Sequence, residues 1–189
     1  MTSIQIDAPR PAANSWLTIY YFTRAAVSVA WVLTAFALGL QIPALGSALL
    51  VIYPLWDAAA NYLDATRSGG LARNRTQALN IVVSLITTIA VILALPMGLN
   101  AVLAVFGAWA VLSGLLQLGT ALRRWASSGA QWAMVLSGAQ SALAGSFFIL
   151  QSQQPVAAVI PIVAGYAAFG AIYFLASALW LVFTRKRAA

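Results

Sequence analysis

The amino-acid sequence predicts an all-α integral membrane protein in which six transmembrane helices form three parallel-repeat hairpins in one bundle. First, the 189-residue chain is 62% hydrophobic and only 7% charged, whereas soluble domains have about 45–50% apolar and about 25% charged residues. Second, the apolar residues form six runs of about 20 residues, the length of helix that crosses a hydrocarbon core about 30 Å thick. Third, two kinds of polar break alternate between the runs. These observations exclude a water-soluble fold.

The six runs are paired into hairpins by the breaks between them. The runs occupy residues 17–39, 44–66, 77–95, 98–122, 131–150 and 156–183. Short, uncharged breaks that contain proline follow the first, third and fifth runs, whereas longer basic breaks at 67–76 and 123–130 follow the second and fourth. The predicted hairpins therefore span 17–66, 77–122 and 131–183, inside a transmembrane domain of residues 16–184.

Basic residues orient the predicted helices. Nine of them fall on one side of this topology and none on the other: Arg10, Arg67, Arg73, Arg75, Arg123, Arg124, Arg185, Lys186 and Arg187. Since Lys and Arg near helix ends accumulate on the cytoplasmic side, both termini are predicted to be cytoplasmic. Residues 1–15 lack the pattern of a signal peptide, and we expect a flexible tail there and a basic tail at 185–189. Anionic lipid headgroups are the expected partners of the basic breaks.

The three proline breaks indicate an internal repeat. Pro43, Pro96 and Pro155 each follow the first helix of a predicted hairpin, and each opens a run of small and aliphatic residues. A two-helix unit repeated without inversion is related to its neighbours by an axis along the membrane normal. The pattern therefore predicts a pseudo-threefold bundle.

Small residues recur on one face of the fourth and fifth predicted helices. Steps of four or seven residues return to nearly the same angle on a helix, and small side chains allow two helix backbones to approach closely in a membrane. We expect these residues to lie at helix contacts rather than along a pore: Gly107, Gly114, Gly138, Ala142 and Gly145.

The second and third predicted hairpins resemble a known family. The apolar run 101–117 contains Gly107 and Gly114 and is closed by Arg123 and Arg124. Together with the chain length, the six helices and the repeated proline break, this pattern resembles the HdeD-like family, small bacterial inner-membrane proteins with a domain of unknown function. The resemblance covers residues 16–187. It implies a location in the bacterial cytoplasmic membrane and a role in acid or envelope stress, and it supplies no catalytic residues.

A polar cluster interrupts the first predicted hairpin. Asp57, Asn61 and Asp64 are spaced four and three residues apart and share one face of the second helix, and Tyr53 extends the same stripe. Arg24 is the one basic residue inside an apolar run. Counted at 1.5 Å per residue from the same membrane side, Arg24 lies about 10 Å deep and Asp57 about 13 Å deep. Because charged groups inside a membrane are costly and find partners, we expect Arg24 and Asp57 to pair.

Neighbouring polar residues extend this cluster. Asp64 is closer to the interface, where we expect it to be solvated or to meet Arg67. Gln77, Asn80 and Ser84 of the third helix complete a cytoplasm-facing pocket if they face the pair. The residues alone leave two roles open for the Arg24–Asp57 pair, a structural ion pair and a substrate or proton site.

The composition also narrows the classes of function. The chain has no His and no Cys, which removes the usual metal ligands, the commonest general base and the thiol nucleophile. No catalytic residue, metal or cofactor is therefore predicted. Nucleic acid is not an expected partner, because the basic residues lie in short gaps between apolar runs. Besides the lipid bilayer, a homo-oligomer or another membrane protein remains open as a partner.

The sequence leaves two expected functions. The first is a non-catalytic inner-membrane protein of the HdeD type that acts in acid or envelope stress. The alternative is a small-solute or proton-linked transporter or channel that uses the Arg24–Asp57 cluster, since intramembrane ionisable residues are functional candidates by default.

Overall fold

The computed structural model describes residues 10–126 and 129–186, and these form six helices and no strand. The helices are α1 (Arg10–Thr34, continued by the π-helical turn Ala35–Gly39), α2 (Pro43–Arg67), α3 (Arg75–Ala94, continued by the 3-10 turn Leu95–Met97), α4 (Leu99–Arg124), α5 (Gln131–Gln151) and α6 (Ile160–Lys186). All six are long and apolar enough to cross a membrane. The prediction of a six-helix, all-α membrane protein is confirmed.

Two helix starts differ from the predicted segments. Helix α1 begins at Arg10, inside the stretch that was expected to be a tail; residues 1–9 and 187–189 lie outside the described part of the chain. Helix α6 begins at Ile160, four residues later than the apolar run. Pro161 consequently falls in the first helical turn, where the missing backbone N–H costs nothing. Pro43 occupies the equivalent place in α2. Pro54, by contrast, lies in the interior of α2.

The helices form a ring in chain order, with α6 packed against α1. The most extensive contacts join α4 to α5, α6 to α1 and α2 to α3. By contrast, α1 and α2 touch little although a short turn connects them. The tightest pairs are therefore not the predicted hairpins but the helices on either side of the basic breaks, together with the two terminal helices. The internal repeat stays a prediction.

Glycines bring α4 and α5 into backbone contact. A Cβ atom added at Gly114 would lie 2.6 Å from the carbonyl oxygen of Gly138 and 2.7 Å from the amide nitrogen of Ala142. One added at Gly107 would lie 2.8 Å from the carbonyl oxygen of Gly145. All five small residues singled out in the sequence thus lie at this contact, where van der Waals packing of backbones replaces the hydrophobic driving force that lipid does not provide.

The two ends of the ring differ in chemistry. The basic end holds the C-termini of α2 and α4 and the N-termini of α3 and α5, with Arg67, Arg73, Arg75, Arg123 and Arg124. Toward the other, uncharged end, buried aliphatic side chains such as Leu49, Val91, Leu103 and Val163 fill the interior. The ring is therefore filled by aliphatic side chains in one half, and its buried ion pairs lie in the other.

An aromatic layer separates the two halves. The Tyr53 ring lies 4.9 Å from the Trp31 ring and 5.5 Å from the Trp109 ring, and Tyr166 lies 6.1 Å from Trp109 and 6.0 Å from Phe148, all between ring centroids. These edge-on and tilted contacts are the favourable arrangements for aromatic pairs. We call Trp31, Tyr53, Trp109, Phe148 and Tyr166 the aromatic floor.

The glycine contact predicts a large and local effect of added volume. Gly114→Leu should lower the free energy of unfolding by about 3 kcal/mol or more, at the upper end of overpacking costs, because the new side chain meets backbone atoms that cannot move independently. The matched control is Ala139→Leu, one residue from Gly138 and exposed to lipid, which should leave stability unchanged. Thermal unfolding in detergent measures both; equal melting temperatures for the two variants would contradict a close α4–α5 contact.

Candidate functional site

A central cavity of about 90 Å³ occupies the half of the ring near the basic end, and side chains from all six helices line it. Its walls include Asp64, Arg124 and Gln131 near the basic end, and Tyr53, Trp109 and Tyr166 of the aromatic floor at its deepest point. Because the buried aliphatic residues lie beyond that floor, the cavity does not extend into the uncharged half of the bundle.

The Arg24–Asp57 ion pair crosses the wall between α1 and α2. The Nη2 atom of Arg24 donates a hydrogen bond of 2.6 Å to Oδ1 of Asp57, and the two side chains are only 13% and 10% exposed. Nη1 of Arg24 donates to the Tyr20 hydroxyl at 3.1 Å. The guanidinium carbon also lies 4.4 Å from the Phe174 ring centroid of α6, a cation–π distance. Arg24 therefore connects α2 and α6 to α1.

The second carboxylate oxygen of Asp57 is a point of convergence. Oδ2 accepts hydrogen bonds from Nδ2 of Asn61 at 3.1 Å, from Nδ2 of Asn80 at 2.9 Å and from the Ser84 hydroxyl at 2.9 Å. The Trp109 indole N–H in turn donates to the Ser84 oxygen at 2.9 Å. Donors from α1, α2 and α3 thus satisfy the carboxylate, and α4 joins through Trp109. Asn61 binds Asp57 and not Arg24.

Asp64 forms a second network nearer the basic end. Its Oδ2 accepts from Nη1 of Arg124 at 2.8 Å and from Nε2 of Gln77 at 2.5 Å, and its Oδ1 accepts from the Trp16 indole at 3.1 Å. The expectation of a solvated Asp64, or of one paired with Arg67, is wrong. Asp64 is buried, and the Arg67 guanidinium lies 4.9 Å from the Trp16 ring centroid instead.

Gln77 connects this second network to Arg123 and to the basic break between α2 and α3. Its Oε1 accepts from Nη2 of Arg123 at 3.0 Å, and the same nitrogen donates to Oδ1 of Asn74 at 3.2 Å. The other amino group of Arg123 donates to the carbonyl oxygen of Arg73 at 3.0 Å. Arg123 therefore joins the end of α4 to the basic break between α2 and α3 and to the start of α3.

The polar residues predicted from sequence belong to two separate hydrogen-bonded networks, one around Asp57 and one around Asp64. Arg24, Asn61, Asn80 and Ser84 surround Asp57, whereas Gln77 binds Asp64. Tyr53 lines the same cavity as Asp57 and Asn61, as its place on their helix face predicts, and it belongs to the aromatic floor. The five small packing residues do not line the cavity.

Sequence reasoning missed several cavity residues: Tyr20, Tyr21, Trp109, Ser113, Gln117, Arg124 and Tyr166. For α4 a signal was present, since Trp109, Ser113 and Gln117 recur every four residues on one face. In the described ranges no three acidic side chains gather to form a metal site, and the sequence has no His or Cys.

Comparisons with protein-family models, with curated proteins and with solved structures find no match to this chain. The likeness to the HdeD-like family therefore stays a prediction, and the geometry of the cavity is the main evidence on function.

The Asp57 network predicts strong energetic coupling between Arg24 and Asp57. Arg24→Ala and Asp57→Ala should each lower the free energy of unfolding by about 3–5 kcal/mol, because each leaves a buried charge without its partner. The double variant should cost less than the sum of the two. Recovery should be partial, since Asn80 and Ser84 still lose their acceptor.

A double-mutant cycle on thermal stability in nanodiscs measures this coupling. Asn100→Ala, which removes an amide that bonds only to loop carbonyls at the uncharged end, serves as the distant control and should be additive with Asp57→Ala. Strict additivity of Arg24→Ala and Asp57→Ala would show that the ion pair does not form.

Proposed function

We propose that the protein is a non-catalytic transporter or channel for a small solute, with the central cavity as its solute site. The observation that carries this proposal is the position of the cavity: it lies on the axis of the ring, all six helices line it, and it ends at the aromatic floor. A bundle stabilised only by packing has no need of a polar, centrally placed cavity. Substrate sites of secondary transporters likewise lie near the middle of the membrane between repeated units.

The floor is the barrier that a solute has to pass. Tyr53, Trp109 and Tyr166 meet edge to face below the cavity, and passage to the uncharged end requires these rings to separate. Tyr53 directly precedes Pro54, which interrupts the hydrogen bonding of α2. Pro54 leaves the carbonyl four residues before it without a helical donor. The carbonyl of Leu49, the preceding residue, accepts a hydrogen bond of 3.0 Å from the Trp31 indole of α1. Helix α2 therefore has a local weakness at the level of the barrier, where a bend would move Tyr53.

The proposed setting is a bacterial cytoplasmic membrane, with both termini and the basic end on the cytoplasmic side. The support is the positive-inside rule: arginines cluster at the end nearer the cavity, and the short turns at the other end carry no charge. In this orientation the cavity takes up solute from the cytoplasm, and the basic breaks lie at the level of anionic lipid headgroups.

A second candidate is the stress-response role that the resemblance to HdeD-like proteins implies, in which the bundle acts without moving a solute. One observation favours it. Oδ2 of Asp57 has three hydrogen-bond donors and Oδ1 has Arg24, as expected of a structural ion pair. A flux measurement separates the two candidates.

Solute flux should depend on free space in the cavity. In proteoliposomes, Gln117→Trp should reduce the protein-dependent rate of solute entry to that of protein-free vesicles, because residue 117 lines the central cavity and the larger indole takes up its free space. Leu115→Trp is the matched control, since residue 115 lies two positions away on the lipid-exposed face, and it should retain the wild-type rate. Stopped-flow light scattering with a panel of small neutral, anionic and cationic solutes measures the rates.

The outcomes of the flux experiment are decisive in both directions. Loss of flux in Gln117→Trp alone supports transport through the cavity. Rates equal to those of protein-free vesicles for every solute with the wild-type protein would contradict transport and leave the stress-response candidate.

The orientation predicts which introduced cysteines an external reagent reaches. The chain has no native thiol, so single replacements report cleanly. In intact cells, Gln153→Cys, in the exposed turn after α5, should react with an impermeant maleimide, whereas Ser68→Cys at the basic end should react only after lysis. The reverse labelling pattern would invert the proposed topology.

A further inference from the structure

We propose that the cavity binds an uncharged solute of about four to six non-hydrogen atoms that carries both a hydrogen-bond donor and an acceptor. This inference rests on the proposed function in one respect, that the cavity is a solute site. It adds the charge, the size and the hydrogen-bonding character of the solute.

The charges on the wall exclude a charged ligand. The cavity is lined by two guanidinium groups and two carboxylates, and each carboxylate has its guanidinium within 2.8 Å: Arg24 with Asp57, and Arg124 with Asp64. The wall is therefore already neutral. An added anion or cation would have no opposite charge left to meet it, and an uncompensated charge inside a membrane bundle is strongly unfavourable.

Unsatisfied polar atoms on three helices define the hydrogen-bonding groups of the ligand. Nε of Arg24 on α1, Oδ1 of Asn80 on α3 and the hydroxyl of Ser113 on α4 are buried and have no hydrogen-bond partner. Asn80 and Ser113 are only 6% and 7% exposed, and all three residues line the cavity. Buried polar groups rarely stay unsatisfied, because each loses its bonds to water. A ligand or water in the cavity therefore has to supply the missing partners.

The identity of these atoms defines what they bind. The amide nitrogen of Asn80 is held by the Asp57 carboxylate, so its oxygen faces away and can only accept. Nε of Arg24 can only donate, whereas the Ser113 hydroxyl can do either. The complementary solute has an acceptor for Arg24 and a donor for Asn80. A primary amide has both groups, its oxygen and its NH2, on one carbon atom.

The volume limits the size of the solute. A dry cavity of about 150 Å³ admits benzene. The 90 Å³ here therefore admits one solute smaller than benzene. The aromatic side chains of Tyr53, Trp109 and Phe174, which line the cavity, provide contact for its apolar atoms.

Four molecules of nearly the same shape test the inference. Acetamide, acetate, acetamidinium and acetone each have four non-hydrogen atoms and a methyl group, but they differ in charge and in donors. Saturation-transfer NMR on the methyl protons, with the full-length protein in nanodiscs and empty nanodiscs as the blank, measures binding of each. We expect saturable binding of acetamide and at least ten-fold weaker binding of the other three. Preference for either ion, or equal binding of acetone, would overturn the inference.

A pair of serine variants localises the binding. Ser113→Ala removes a hydroxyl that has no partner, so nothing in the protein loses a bond, and it should weaken acetamide binding about two- to ten-fold, the range for one hydrogen bond. Ser177 of α6 also has an unpartnered buried hydroxyl, but it does not line the cavity; Ser177→Ala should bind acetamide as the wild type does. Equal affinities in the two variants would place the bound acetamide elsewhere.

The results for the solute and for the proposed function remain separable. If none of the four molecules binds, the inferred solute class is wrong, and the flux of other solutes through wild-type and Gln117→Trp vesicles still decides whether the cavity conducts. If flux is absent but acetamide binds with the expected serine dependence, the ligand site stands and transport does not.

Discussion

The carboxylate of Asp57 has to be satisfied inside a membrane-spanning bundle, and this requirement determines how four of the six helices meet. In the hydrocarbon region there is no water to replace a missing hydrogen bond. The four donors therefore come from protein: Arg24 of α1, Asn61 of α2, and Asn80 and Ser84 of α3. Trp109 of α4 joins through Ser84. Moving α1 or α3 along its axis relative to α2 would break a bond to this carboxylate, and moving α4 would break the bond to Ser84.

The cavity follows from an uneven distribution of side-chain size around the ring. Between α4 and α5 the glycines bring the backbones together, so no space remains. Between α1 and α2 the long side chains of Trp16, Arg24 and Trp31 make the contacts, and the two backbones stay apart. A ring that is tight on one side and bridged by long side chains on the other leaves room at its centre. Of these three side chains, Arg24 lines that room.

The sequence allowed the number of helices and one half of the site to be predicted, and the reasons are physical. Run length reports membrane crossing directly, and residue counting from one membrane side placed Arg24 and Asp57 at similar depths. The pairing of Asp64 with Arg124 could not be found in this way, because many arginines lie at the basic end and the nearest in sequence, Arg67, was the natural choice. Only the closure of α4 onto α2 and α3 selects Arg124.

The ring order was likewise beyond the sequence. Every helix is apolar on most of its surface because lipid surrounds the bundle, so its pattern does not reveal which neighbour it faces. Glycine spacing was informative because it reports a backbone approach that larger residues prevent. The aromatic floor gave no such signal, since its five rings come from α1, α2, α4, α5 and α6.

The charge pair and the barrier are parts of one hydrogen-bonded structure, and this constrains any mechanism. The Trp109 ring of the floor is tied to Ser84, and Ser84 to Asp57. Moving Trp109 away from Tyr53 therefore breaks the indole bond to Ser84, which costs about 0.5–1.5 kcal/mol and more if the buried N–H finds no new partner. A solute with a hydrogen-bond acceptor, bound beside Asn80 and Ser113, can supply that partner. In the proposed transport, the polar character of the cavity and the opening of the floor would thus be linked, because the same solute that satisfies the wall would lower the cost of moving the Trp109 ring.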